Sequence, residues 1–202
     1  MKYVYHGSAV QNIQIFRPQA STHGQNWVYA AKDKVISALF ISGVGGDFTC
    51  QVGRDPITGK PYLYERFSGA FQLRYGGRSG FIYTLAGDHF QENRTGWEEE
   101  VVSPVPVVPI AEEKIADVQS YLLRLEQEGM LIIKYFPEKI DGIPEDDEDL
   151  MERGIIWTRQ FGERILAELA KYHPHLLERV QQGLREGKYL SQHSDRKWLK
   201  LS

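Results

Sequence analysis

WVYAAKDKVISALFI, residues 27–41, joins a strand to a helix, and its reading sets the fold class. Trp27–Ala31 mixes aromatic and β-branched residues, which suit a pleated, half-buried surface. Asp33 follows closely, a short carboxylate able to accept the orphan amides of a first helical turn. Val35, Ile36, Leu39 and Phe40 then share one face of a helix from about Lys34 to Ile41. Gly43-Val44-Gly45-Gly46 breaks that helix.

Upstream, Lys2–His6 reads as a short strand closing at Gly7, and Phe16-Arg17-Pro18 begins a loop through Gly24. Downstream, Asp47–Val52 and Pro61–Phe67 read as two arms of a hairpin around the turn dipeptides Asp55-Pro56 and Thr58-Gly59. A glycine loop, residues 76–80, leads into the aromatic strand Phe81–Leu85. Glu99–Val102 and Val105–Ile110 are strand-like, with Pro104, Pro106 and Pro109 arguing for an edge or a bend. Beyond them the pattern turns helical. Ile115, Val118, Leu122 and Leu125 predict a helix over Glu112–Glu128, ended by Gly129. Met130–Phe136 adds a strand. After the acidic stretch Glu138–Glu152 come helices over about Glu152–Lys171 and Leu176–Glu186, parted at His173-Pro174-His175. Strands first and helices later predict an α+β fold: a β-rich core over residues 1–110 and a helical C-terminal appendage over 111–202.

Of the 202 residues, 42% are apolar and 25% charged, enough to bury a core. A net charge of −3 argues against a nucleic-acid surface over the whole protein. Arg185, Lys188, Arg196, Lys197 and Lys200 cluster near the C-terminus and read as a solvated helix face and tail. The lone Cys50 excludes an internal disulfide and fits a packed thiol in a reducing compartment. MKYVYHGS lacks the apolar core of a secretory signal, and no run approaches the ~20 apolar residues of a membrane span. The expectation is a cytoplasmic protein with no membrane partner.

Neither GxxxxGK[ST] nor a GxGxxG between strand and helix occurs, so phosphate-cradle readings of the glycine loops are weak. His173 and His175 lack a third ligand at zinc spacing and read as a helix break, and the run Glu145–Asp149 lacks EF-hand spacing. No metal is expected. Three other motifs stand out together: His6-Gly7-Ser8 at the end of the first strand, Val28-Tyr29-Ala30-Ala31 before the helix, and Glu98-Glu99-Glu100-Val101-Val102 leading a later strand.

At these residues, over about residues 1–110, the chain resembles the His–Tyr–Glu class of ADP-ribosyltransferases, which includes the poly-ADP-ribose polymerases and the diphtheria-type toxins. In that family His-Gly-Ser or His-Gly-Thr closes the first strand, a Tyr followed by a small residue precedes a helix, and a Glu opens a later strand. The resemblance implies split β-sheets around a cleft, with NAD as substrate and no metal. It implies transfer of ADP-ribose to a protein or nucleic-acid acceptor. Hydrolysis of NAD by water, or nucleotide binding without turnover, are the competing readings.

Departure of nicotinamide leaves positive charge on the ribose, and a carboxylate beside it stabilises that charge where it develops. Glu100, stepping directly into Val101-Val102-Ser103, fits the family pattern best. Glu98 shares its face by alternation, Glu99 points opposite, and all three stay open. His6 is expected to hold a ribose hydroxyl through one ring nitrogen while backbone holds the other. Gly7 is expected to let the nicotinamide amide reach the main chain, with Ser8 adding a hydroxyl. Tyr29 offers a ring face to the cationic nicotinamide. Arg17 offers a fork of donors to the pyrophosphate. Tyr75, Phe81 and Tyr83 are candidates for the opposite pocket wall, with core packing the plainer reading.

Overall fold

In the computed structural model, which describes residues 1–20, 25–138 and 141–189, the strand-to-helix step forms as its chemistry dictates. Strand β3 (Asn26–Ala31) runs to Asp33, whose carboxylate accepts from Val35 N at 2.8 Å and caps helix α1 (Lys34–Leu39). Two sheets flank this step. The first contains β1 (Tyr3–Ser8), β2 (Gln19–Ala20), β3, β6 (Gly80–Ala86), β7 (Glu100–Ser103) and β8 (Pro109–Ile115). Its order is β2-β3-β1-β6-β8, with β7 also paired to β3, and the pairings are antiparallel. The second sheet is the expected hairpin, β4 (Cys50–Arg54) and β5 (Pro61–Glu65), with β9 (Ile132–Lys134) parallel to β5. Mixed helices and largely antiparallel sheets make the fold α+β.

Alternation sorts the first sheet into two apolar faces. Val4, Val28, Ala30, Tyr83, Leu85 and Val101 pack on one side, under Phe16 and Val107. Ala31 and Ile82 face the other side, toward Ile36 and Leu39 of α1, Val52 and Leu63 of the second sheet, and helix α3 (Val118–Gln127). A third cluster joins Phe48 to the C-terminal helices α4 (Glu148–Phe161), α5 (Arg164–Tyr172) and α6 (Leu177–Arg185). Buried arginines tie α4 to the end of the hairpin and to the turn before it. Arg66 makes a bidentate pair with Asp149 at 2.9 and 2.8 Å, and Arg153 reaches Asp47 at 2.6 Å. Removing one partner of such a pair leaves an uncompensated charge, which costs about 3–5 kcal/mol.

Several expectations need correction. Glu112–Ile115 is strand, not helix, because these residues complete β8 against β6. Ile115 is the last buried residue of that strand, and α3 begins only after Asp117, which accepts from Ser120 N at 2.6 Å. Residue 110 therefore falls inside β8, and α3 and β9 beyond it belong to the first cluster and the second sheet. The helix expected over Glu152–Lys171 starts at Glu148 and is two helices, parted at Gly162 with φ 81°. Helix α2 (Ala70–Tyr75) arises where no element was expected. Gly24, Arg196, Lys197 and Lys200 lie outside the described residues.

Candidate functional site

Adjacent strands carry the three motifs: β1 ends with His6-Gly7-Ser8, β3 holds Tyr29, and β7 opens with Glu100. Antiparallel pairing of β3 with β7 sets Ala31 opposite Glu100 and Tyr29 opposite Val102. Tyr29 and Glu100 are thus diagonal neighbours on one face, at the roughly 7–8 Å such register gives. Between β1 and β3 the ladder holds at Tyr5↔Ala31, after which the two strands part. The His6 ring stands in the opening, its Nδ1 2.7 Å from the Tyr29 carbonyl oxygen.

That contact fixes the chemistry of the imidazole. A carbonyl can only accept, so Nδ1 carries the hydrogen and donates it. Burial pulls the His6 pKa below the ordinary imidazole value, against the opposing effect of the Tyr29 carbonyl. The ring is then neutral at pH 7, and Nε2 presents a lone pair. His6 also packs on Phe16 at 4.7 Å between ring centroids. Along β1 it alternates with Tyr5, so its ring begins on the face opposite Tyr29 and Glu100 and meets β3 only through the parting of the strands.

The three glutamates differ. Glu99 is 8% exposed and held by Arg54, with Nε–Oε1 2.5 Å and Nη2–Oε2 2.6 Å. Arg54 also reaches Asp33 at 3.0 Å, and these carboxylates, Glu99 above all, keep its guanidinium firmly charged. Glu99 therefore serves the packing of the hairpin against α1. Glu98 is exposed in the turn before β7, and Glu100 is half-buried at its first position.

Gly7 has a reason beyond ligand access. A Cβ there would lie 2.0 Å from the Ser37 carbonyl oxygen of α1, so the helix packs directly on bare backbone. Ser8 Oγ accepts from Val10 N at 3.1 Å. Arg17 is exposed beside the Phe16↔Val107 bridge. Tyr75 and Tyr83 are fully buried, their hydroxyls donating to Leu39 O and Val10 O, and Phe81 packs in the same core as Tyr83. Those three form core, not pocket wall. The Gly43–Gly46 loop turns its Gly46 carbonyl toward Arg74, whose guanidinium takes Ser42 O and Gly46 O at 3.0 Å and Cys50 O at 2.9 Å.

A cavity of about 490 Å³ lies elsewhere, between the second sheet and the C-terminal helices, and no residue of the three motifs lines it. Asp147 stands there beside His173 and His175, a conjunction that sequence spacing could not reveal. Among the described residues no helix is long and apolar enough to cross a membrane. Comparison with protein-family models, curated proteins and solved structures finds no match to this chain.

Proposed function

We propose that this chain cleaves the nicotinamide–ribose bond of NAD and transfers ADP-ribose to a macromolecular acceptor, as ADP-ribosyltransferases do. One observation carries the reading: the strands bearing His6, Tyr29 and Glu100 lie side by side, and His6 spans the parting of two of them by its 2.7 Å contact to the Tyr29 carbonyl. The fixed tautomer leaves Nε2 to accept a ribose hydroxyl. Tyr29 turns its ring to the nicotinamide, and Gly7 and Ser8 hold the amide. Arg17 lies on the pyrophosphate side.

In the reaction the C1′–N bond breaks with its electron pair leaving on nicotinamide, and the ribose takes the positive charge. Glu100 stabilises that charge and orients the ribose hydroxyl, while Glu98 is placed to steer the acceptor. The acceptor attacks C1′, and its proton passes to solvent water. Glu99, committed to Arg54, takes no part.

Incubation with NAD labelled on its adenylate tests the proposal. Label on protein or nucleic acid supports transfer, free ADP-ribose supports hydrolysis, and intact NAD rejects an enzyme. Glu100→Gln should slow nicotinamide release by about 10²–10³-fold, the loss typical of removing one transition-state electrostatic contact, with NAD affinity largely kept. Unchanged turnover in that variant rejects the assignment of Glu100.

A further inference from the structure

The cavity between the second sheet and the C-terminal helices carries its own constellation. Tyr64, Phe67 and Tyr172 contribute aromatic walls, and Asp147, His173 and His175 stand together in its lining. One ligand-type atom from each of these three lies within 4.8 Å of the others, and His175 Nε2 is 3.1 Å from Asp147 Oδ2.

Each side chain is prepared in a different way. His173 is 2% exposed, and its Nε2 sits 2.6 Å from the Phe48 carbonyl oxygen. That oxygen only accepts, so Nε2 bears the hydrogen and Nδ1 keeps the lone pair of the singly protonated ring. One ring nitrogen held by a backbone carbonyl is how proteins orient a metal-ligating histidine. Asp147 occupies the N-cap of α4, yet its side chain caps no amide. Its backbone is left-handed at φ 57°, a conformation a non-glycine residue adopts at a cost of about 1–2 kcal/mol. The carboxylate turns instead to Arg66 at 2.9 Å and to His175. His175 is exposed and can swing. The single guanidinium of Arg66 is shared between two carboxylates, Asp147 and Asp149, so the local charge leaves room for a cation.

We propose that Asp147, His173 and His175 hold a divalent transition-metal ion of the zinc class, with a fourth position open toward the cavity. Two imidazoles and a carboxylate are a donor set suited to such an ion, and three protein ligands with one open position are the pattern of zinc sites that bind a further ligand. Bonds of about 2.0–2.1 Å set tetrahedral ligand atoms about 3.3 Å apart; His175 and Asp147 already stand at that spacing, so the remaining closure, at most about 1.5 Å, is toward His173. The ion would clamp the N-cap of α4 to the turn between α5 and α6. Nothing in this inference depends on the NAD reading.

Titration of the full chain with Co²⁺ alone, followed by its visible absorption, is the test. One equivalent should bind with the intense bands of a low-symmetry site and be displaced by Zn²⁺. His175→Ala and Asp147→Asn should each weaken binding by more than about 100-fold, beyond the roughly 10–100-fold that changing an outer-shell partner brings. Circular dichroism without metal confirms that both variants fold; His175→Ala alters an exposed side chain and leaves the core intact. Absence of stoichiometric binding overturns the proposal, as does wild-type affinity in both folded variants.

Discussion

Replacement of Gly7 by alanine separates two reasons for a glycine after His6. The added Cβ would stand 2.0 Å from Ser37 O and 3.1 Å from Ile41 N. Real Cβ contacts are essentially never under 3.0 Å, so α1 or β1 must retreat by about 1 Å. The obstacle is backbone, which cannot turn aside as a side chain does, and α1 carries Ile36, Ala38 and Leu39 into the main core. The cost should sit at the upper end of the overpacking range, about 3 kcal/mol. With a urea dependence of about 2 kcal/mol per molar, the unfolding midpoint should drop by about 1.5 M. Tryptophan fluorescence in urea reads this directly, and NAD binding is measured on the same folded sample. A midpoint within about 0.25 M of wild type would refute the packing argument. Lost NAD affinity at unchanged stability would assign Gly7 to the ligand alone.

Other consequences are as direct. Glu99→Gln should cost about 1–2 kcal/mol, discounted for the partly exposed Arg54, while nicotinamide release persists; loss of turnover in a folded variant would move the chemistry to Glu99. Burial keeps the folded-state pKa of His6 below the unfolded value of about 6.5, so the unfolded chain binds the extra proton first as pH falls. Stability is full above pH 6.5 and declines below it until the folded pKa is passed. His6→Gln should flatten part of that decline in urea midpoints measured from pH 8 to 5, and parallel curves would count against a buried neutral imidazole. Cys50 is buried with its thiol pKa pushed up to about 12, so a disulfide reagent at pH 8 should leave the native chain untouched and react fully in urea. Rapid modification of the native protein would show that the thiol is accessible.

Local chemistry was legible where one residue type governs an element. Trp27–Ala31, Asp33 and the apolar face from Val35 to Leu39 announced β3 and α1, and the Asp55 and Thr58 turn signals announced the β4–β5 hairpin. Helix α2 was illegible because its N-cap, Gly69, provides no side-chain cap and its six residues are too few for a period to emerge. The strand Pro109–Ile115 hid behind Ile115, whose spacing to Val118 and Leu122 mimics a helix face; Asp117, two residues on, was the signal that marks the true start. At the proposed site, residue types named His6, Tyr29 and three glutamates, and the commitment of Glu99 to Arg54, forty-five residues away, lay beyond the reach of local pattern. Likewise a pair of histidines gains a carboxylate companion only through the docking of α4 against the hairpin.

The first sheet is joined across its middle at a single rung, Tyr5 with Ala31. Its outer members are sewn over many residues, β1 to β6 from Tyr3 to Ser8 and β3 to β7 from Val28 to Ala31. Such a seam passes little stiffness from one half to the other, so the halves can tilt about it with small loss of hydrogen bonding. A dinucleotide lying along the seam would act as a splint, and amide exchange in β1 and β3 should slow together when it is added.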